Sequence, residues 1–250
     1  MAVDAIEQFQ ITKLFTIGHI GGQEIAFTNS SAYMFGSVAV ISLLMIAGTG
    51  ARRLVPGRIQ SLAEVTYEFV ASMIRTNAGS EGMRFFPLVF SLFTFILVSN
   101  VIGIIPYAFT VSSHLIVTAA MALLVFFIVL IYGFYKNGLG FLRVFVVSGV
   151  PLYVLLVVVP IEIIAFFIKP ISHSVRLFAN MLAGHIALKV FASFIGMLGA
   201  FGLIGWFGAV LPLSLVVALT ALELLVAFLQ AYVFAILTCI YLSEAIHPGH

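Results

Sequence analysis

The chain has 250 residues, 63% of them hydrophobic and only 8% charged. A soluble domain carries about 25% charged residues, so this composition, with a mean hydropathy of +1.24, reads as an integral membrane protein with little mass outside the bilayer. The net charge of +2 comes from scattered basic residues, which argues against nucleic-acid binding, and the single cysteine, Cys239, excludes an internal disulfide or a multi-cysteine metal site.

Residues 1–32 hold Asp4, Glu7, Lys13 and Glu24 without a clean apolar core. They read as an N-terminal segment outside the membrane rather than as a cleaved signal peptide. A first span is expected over 33–50, followed by Arg52, Arg53 and Arg58. Over 57–77, Ile59, Leu62, Val65, Phe69 and Met73 recur at helical spacing, with Glu64, Glu68 and Arg75 between them. That pattern predicts an amphipathic helix on the membrane surface. Residues 85–135 predict a helical hairpin, its first arm stopped by Pro106 and its second ending before Lys136, Asn137 and Gly138. A short amphipathic piece surrounds Arg143.

From Pro151 to Ile246 the chain is apolar almost throughout. One division places a long helix over 151–194, a turn rich in glycine, and a second long helix over 209–246. At ~1.5 Å per residue each is on the order of 55–65 Å long, against a hydrocarbon core of ~30 Å. Such helices tilt steeply or break into more spans, and Pro160 and Pro170 mark places for kinks. The fold class expected is therefore an all-α integral membrane protein: one membrane domain over 1–250, with about five crossing helices, a surface helix, and a long tilted hairpin over 151–246. The basic segments after spans one and three place the N-terminus outside and the C-terminus inside.

Few ionisable groups remain in the long segments. Arg176 stands out, because an arginine at the centre of a membrane helix costs roughly 2.5–3.5 kcal/mol and cannot discharge by losing a proton. His173, Arg176 and Asn180 share one helix face. Glu162 lies nearly on that face, ~21 Å away along the axis. Glu223 and Gln230 share a face of the last helix, and His185 points away from Arg176. Polar groups towards both ends of a helix, with a fixed cation between them, suggest two offset half-paths for protons rather than a through-pore. Each residue also has a structural reading: Glu162 as the partner of Lys169, Lys169 and Lys189 as snorkelling or paired cations, His173 as a packed polar group, and His247 and His250 as a solvated tail. No HExxH, GxSxG, P-loop or nucleotide fingerprint is present, and the His173–His185 spacing fits no metal site. No metal, cofactor or catalytic site is expected.

The stretch Ser172-His-Ser-Val-Arg-Leu-Phe-Ala-Asn-Met-Leu-Ala-Gly-His185 closely resembles subunit a of the F-type ATP synthases. So do Ala221-Leu-Glu-Leu-Leu-Val-Ala-Phe-Leu-Gln-Ala-Tyr-Val-Phe234 and Ser99-Asn-Val-Ile-Gly-Ile-Ile-Pro-Tyr107. With the amphipathic helix, the resemblance covers essentially the whole chain. It implies a proton-translocating stator subunit with no catalytic site of its own, whose two long tilted helices lie along a rotating ring of c subunits. Peripheral-stalk b subunits, the remaining synthase subunits and the lipid bilayer are the other implied partners. Arg176 matches the arginine that faces the ring carboxylate, with Asn180 and Gln230 as its polar neighbours. His185 and Glu223 match the outer half-channel, with Asn100 beside them. Glu162 matches the acidic group of the inner half-channel, with Ser172 and His173 helping to line it. The order of His185 and Glu223 looks like the alphaproteobacterial and mitochondrial branch, which implies a bacterial inner membrane or a mitochondrial one. A secondary transporter with Arg176 binding an anionic substrate is the alternative; it predicts inverted repeats, and none is visible. An intramembrane enzyme would need a clustered His and Glu motif, which the sequence lacks.

Overall fold

The computed structural model describes residues 10–20, 23–50, 56–105, 108–146 and 151–248. Asp4, Glu7, Arg52, Arg53, Pro106, Tyr107 and His250, all used in the sequence reading, lie outside the described residues. Among the described residues six α-helices follow one another: α1 (Asn29–Gly50), α2 (Arg58–Ala78), α3 (Phe86–Ile104), α4 (Leu115–Asn137), α5 (Leu152–Gly199) and α6 (Gly202–Ile246). Short 3-10 turns precede α3 and α4, and a longer one, Gly138–Phe145, follows α4. All but α2 belong to segments long and apolar enough to cross a membrane, so the protein is an all-α, multi-pass membrane protein.

An antiparallel hairpin, β1 (Lys13–Ile20) and β2 (Gln23–Thr28), precedes the helices. The apolar pattern did not reveal it, although Gly21 and Gly22 separate the two runs, a pairing that favours a tight turn. Asn29 ties the hairpin to α1. Its Oδ1 accepts hydrogen bonds from the backbone N–H of Thr12 and of Ser30 at 3.2 and 2.8 Å, and its Nδ2 donates to the Gln10 carbonyl. This anchor starts α1 four residues before the expected span.

The amphipathic helix α2 divides its apolar residues between two roles. Val70, Ala71, Met73, Ile74 and Ala78 are buried, whereas Ile59, Leu62 and Val65 are exposed, the last at 66%. The exposed stripe is the part available to a lipid surface.

The turn between α5 and α6 is shorter than the run of glycines suggested. Helix α5 continues to Gly199, and the reversal is made by two residues before Gly202 at φ +70°, a left-handed value that costs other residues about 1–2 kcal/mol. Close approach explains a second glycine: a Cβ on Gly205 would lie 1.8 Å from the Leu198 carbonyl oxygen. At ~1.5 Å per residue, 48-residue α5 and 45-residue α6 are each about 70 Å long.

The chain forms two compact units. The first comprises the described parts of 1–41, 95–114 and 177–230. In it Ser99 Oγ donates to Ser37 Oγ at 3.3 Å, and Tyr33 and His114 both pack on Phe109. The second comprises 42–94, 115–176 and 231–250. Phe69 packs there between Phe93 and Tyr232, and Phe166 meets Phe126, Phe141 and Phe145. A Cβ on Gly133 would lie 2.4 Å from the Phe141 ring, so the ring occupies the space a side chain would need. Small and polar residues lie in both interiors beside the larger apolar ones, among them Asn100, Thr110, Thr118, Ala227, Ala231 and Thr238, all fully buried. Large apolar residues of α1, α5 and α6 face outwards, as expected where the solvent is lipid and helices approach through small side chains.

Candidate functional site: two polar clusters and an exposed arginine

In the first unit, α5 supplies His185, α6 supplies Glu223 and Gln230, α3 supplies Asn100, and the turn before α4 supplies Thr110 and Ser112. His185 and Glu223 are each 5% exposed. The His185 Nδ1 atom lies 3.0 Å from Glu223 Oε1, and its Nε2 lies 3.0 Å from Thr110 Oγ1. The Nδ1 approach has the distance of an ion pair but lies off the line of a well-directed hydrogen bond; neither Glu223 oxygen receives one from the described residues. Gly184 makes room for the carboxylate, since a Cβ there would sit 3.0 Å from Glu223 Oε1. Asn100 is oriented at both ends: Ser112 Oγ donates to its Oδ1, and its Nδ2 donates to the Ala227 carbonyl at 3.4 Å.

A buried carboxylate is costly unless it is compensated or protonated. An imidazole with a carboxylate at one nitrogen and a hydroxyl at the other can accept a proton on one side and release one on the other. The pair is therefore equipped to relay protons. His114, at the end of the same turn, is stacked on Phe109, and burial pushes its imidazole below the ordinary value, favouring the neutral ring.

In the second unit, Arg176 and Ser172 are exposed on α5; Asn180, on the part of α5 that belongs to the first unit, is exposed as well. Arg176 makes no hydrogen bond or ion pair with any described residue. A permanent cation is thus presented from an apolar membrane helix without an ion-paired anion among the described residues.

Beside that face, His173 is buried edge-on against Phe234, with ring centroids 3.8 Å apart and Tyr241 at 6.0 Å. Neither of its ring nitrogens has a hydrogen-bond partner among the described residues. Glu162 is half-buried and lines a cavity of about 280 Å³ together with Arg143, Lys169, Ser243, Glu244 and His247. Lys169 does not pair with Glu162; its Nζ lies 2.6 Å from Glu244 Oε2.

The sequence-derived candidates thus sort into groups. Asn100, His185, Glu223 and Gln230 are buried in the first unit, while Glu162 lines an open cavity in the second. Ser172 lies on the exposed face of Arg176 and His173 packs on aromatic rings, so neither lines the Glu162 cavity. Sequence reasoning passed over Thr110, Ser112 and Glu244. The first two sit in the short turn before α4, where no helical spacing marks a buried polar group. Glu244 is an acid in the last turn of an apolar helix, a signal the sequence does carry.

Residues 31–243 match the protein family described as ATP synthase A chain. The chain is 76% identical, over all 250 residues of both, to the ATP synthase subunit a of Rhodopseudomonas palustris strain TIE-1, and 77% identical over the same full length to that of strain BisB5. It is 73% identical over 248 residues, 99% of this chain and the whole of the relative, to the ATP synthase subunit a of Nitrobacter winogradskyi. With the match running through all the long helices and through both polar clusters, the chain belongs to the ATP synthase A chain family.

Proposed function

We propose that this chain is the proton-translocating stator subunit of an F-type ATP synthase in a bacterial inner membrane. It works beside a ring of c subunits, is held by peripheral-stalk b subunits, and leaves ATP chemistry to other subunits of the complex. The observation that carries this reading is Arg176: an exposed guanidinium in an apolar helix, without an anion among the described residues of its own chain. A ring of passing carboxyl groups supplies the missing partner.

The physics follows from the bilayer. A carboxyl group carried through lipid must be protonated, because its charged form is costly there. Opposite Arg176 the charged form is favoured, and the proton leaves. The arginine repels protons without carrying one, so protons cannot leak directly between two offset aqueous half-channels. The outer path uses Asn100, Glu223 and His185, with Thr110 orienting the imidazole. The inner path uses the cavity lined by Glu162. Asn180 and Ser172, exposed on the same helix as Arg176, face the ring with it, and Gln230 adds a polar group on α6. His173 packs behind that face against Phe234. The membrane potential supplies about 2.3 kcal/mol per charge per 100 mV. In this reading α5 and α6 lie tilted along the ring, since each is far longer than the ~30 Å hydrocarbon core. Family membership favours this over the anion-transporter alternative.

Replacing Arg176 with alanine tests the reading. Arg176→Ala is expected to abolish ATP-driven proton pumping in membrane vesicles while leaving an assembled complex. Pumping at the wild-type rate would contradict the gate.

A further inference from the structure

Glu162 and Lys169 are seven residues apart on α5, close to one face and about 10 Å along the axis. Both line the same cavity. Two turns apart they are not direct neighbours on the helix surface, but the lysine leans towards the N-terminus, on the side of the shared cavity where Glu162 lies. Its ammonium, however, is held elsewhere. Glu244 Oε2 lies 2.6 Å from Lys169 Nζ, and the rings of Tyr241 and Phe166 lie at 5.1 and 5.7 Å from it. Glu162 makes no hydrogen bond or ion pair with a described residue. Beyond these three, the charged or titratable groups facing the cavity are Arg143 and His247.

We infer that Glu244 is a positioning residue that holds the Lys169 ammonium away from Glu162 and so leaves Glu162 free to exchange protons. This rests on Glu162 serving the inner half-channel. An ammonium close to a carboxylate competes with a proton for its oxygens, so a Lys169 released into the cavity would hinder proton exchange at Glu162. In the working site, a proton released by a ring carboxyl binds a Glu162 oxygen and then leaves to water on the inner side. Lys169 and Glu244 exchange none; their role is the pair itself.

The test is ATP synthesis driven by an imposed proton gradient in membrane vesicles holding the assembled complex, with the ratio of this chain to c subunit checked by immunoblot. Glu244→Gln is expected to lower the rate about fivefold, the scale of a part-exposed ion pair, and Glu244→Asp to preserve it. Lys169→Gln, and the double variant K169Q/E244Q, are expected to run near the wild-type rate, because the cation to be restrained is gone. A double variant as slow as E244Q would overturn the inference and make Glu244 a proton carrier. Equal losses in K169Q and E244Q would overturn it too, and make the pair a structural brace. Glu162→Gln is the control. If it runs at the wild-type rate, the inner-path reading fails and the inference with it; if it is slow while E244Q is not, the inference alone fails. Should E244Q not assemble, K169Q and the double variant carry the same test.

Discussion

At the scale of single residues, the protein concentrates its costs in a few side chains. Arg176 bears an expense of roughly 2.5–3.5 kcal/mol for a central membrane arginine, and the described residues give it nothing to offset that. Glu223 is buried against His185 with neither oxygen well hydrogen-bonded. A neutral amide at 223 keeps the volume but cannot ionise. Glu223→Gln is therefore expected to slow proton uptake from the outer side by about a hundredfold, the low end of the range typical of lost acid–base groups, when ATP synthesis is measured against outer pH. An unchanged rate at every pH would make Glu223 structural. Much of this was legible beforehand: charges in an apolar sequence are conspicuous, and helical spacing separated Arg176 from His185. Partners were not legible. Lys169 stands seven residues from Glu162 but pairs with Glu244, 75 positions away, and Thr110 meets His185 across the same separation. Spacing along one helix says nothing of which neighbour packs against it.

At the scale of elements, the long helices followed directly from runs of apolar residues, and so did the amphipathic α2. The hairpin β1–β2 escaped because its strands are short and mix polar with apolar residues, leaving Gly21 and Gly22 as its main sign. The glycines misled in the opposite direction. Several between 195 and 208 continue helices, and the reversal depends on the positive φ of Gly202 and the tight fit at Gly205. Elsewhere, glycine admits a large ring. Gly133→Leu would drive a side chain into Phe141, whose ring leaves no space for a Cβ. Overpacking of this kind costs typically 1–3 kcal/mol, so ~3 kcal/mol or more is expected here. The expected outcome is a strongly reduced amount of this chain in membranes, read by immunoblot. Wild-type abundance would mean that α4 and the turn after it separate freely.

At the scale of the whole molecule, the chain exposes large apolar residues that a soluble protein would bury. Small and hydroxylated residues share the interiors with a few large ones such as Phe93, Phe141 and Met181, while many large apolar residues face out. Composition alone announced this, since 8% charge cannot cover a soluble surface. It could not announce the two compact units, which depend on contacts between distant segments. The central claim is that the exposed arginine face of α5 meets the carboxylate-bearing helix of a c subunit. The most direct measurement is disulfide crosslinking in native membranes, with a single cysteine at position 176 or 180 and another beside the c-subunit carboxylate; the chain's own Cys239 is buried. A crosslink between this chain and c from either position is the predicted result. No crosslink from either position, while both cysteines react freely with a small thiol reagent, would contradict the account.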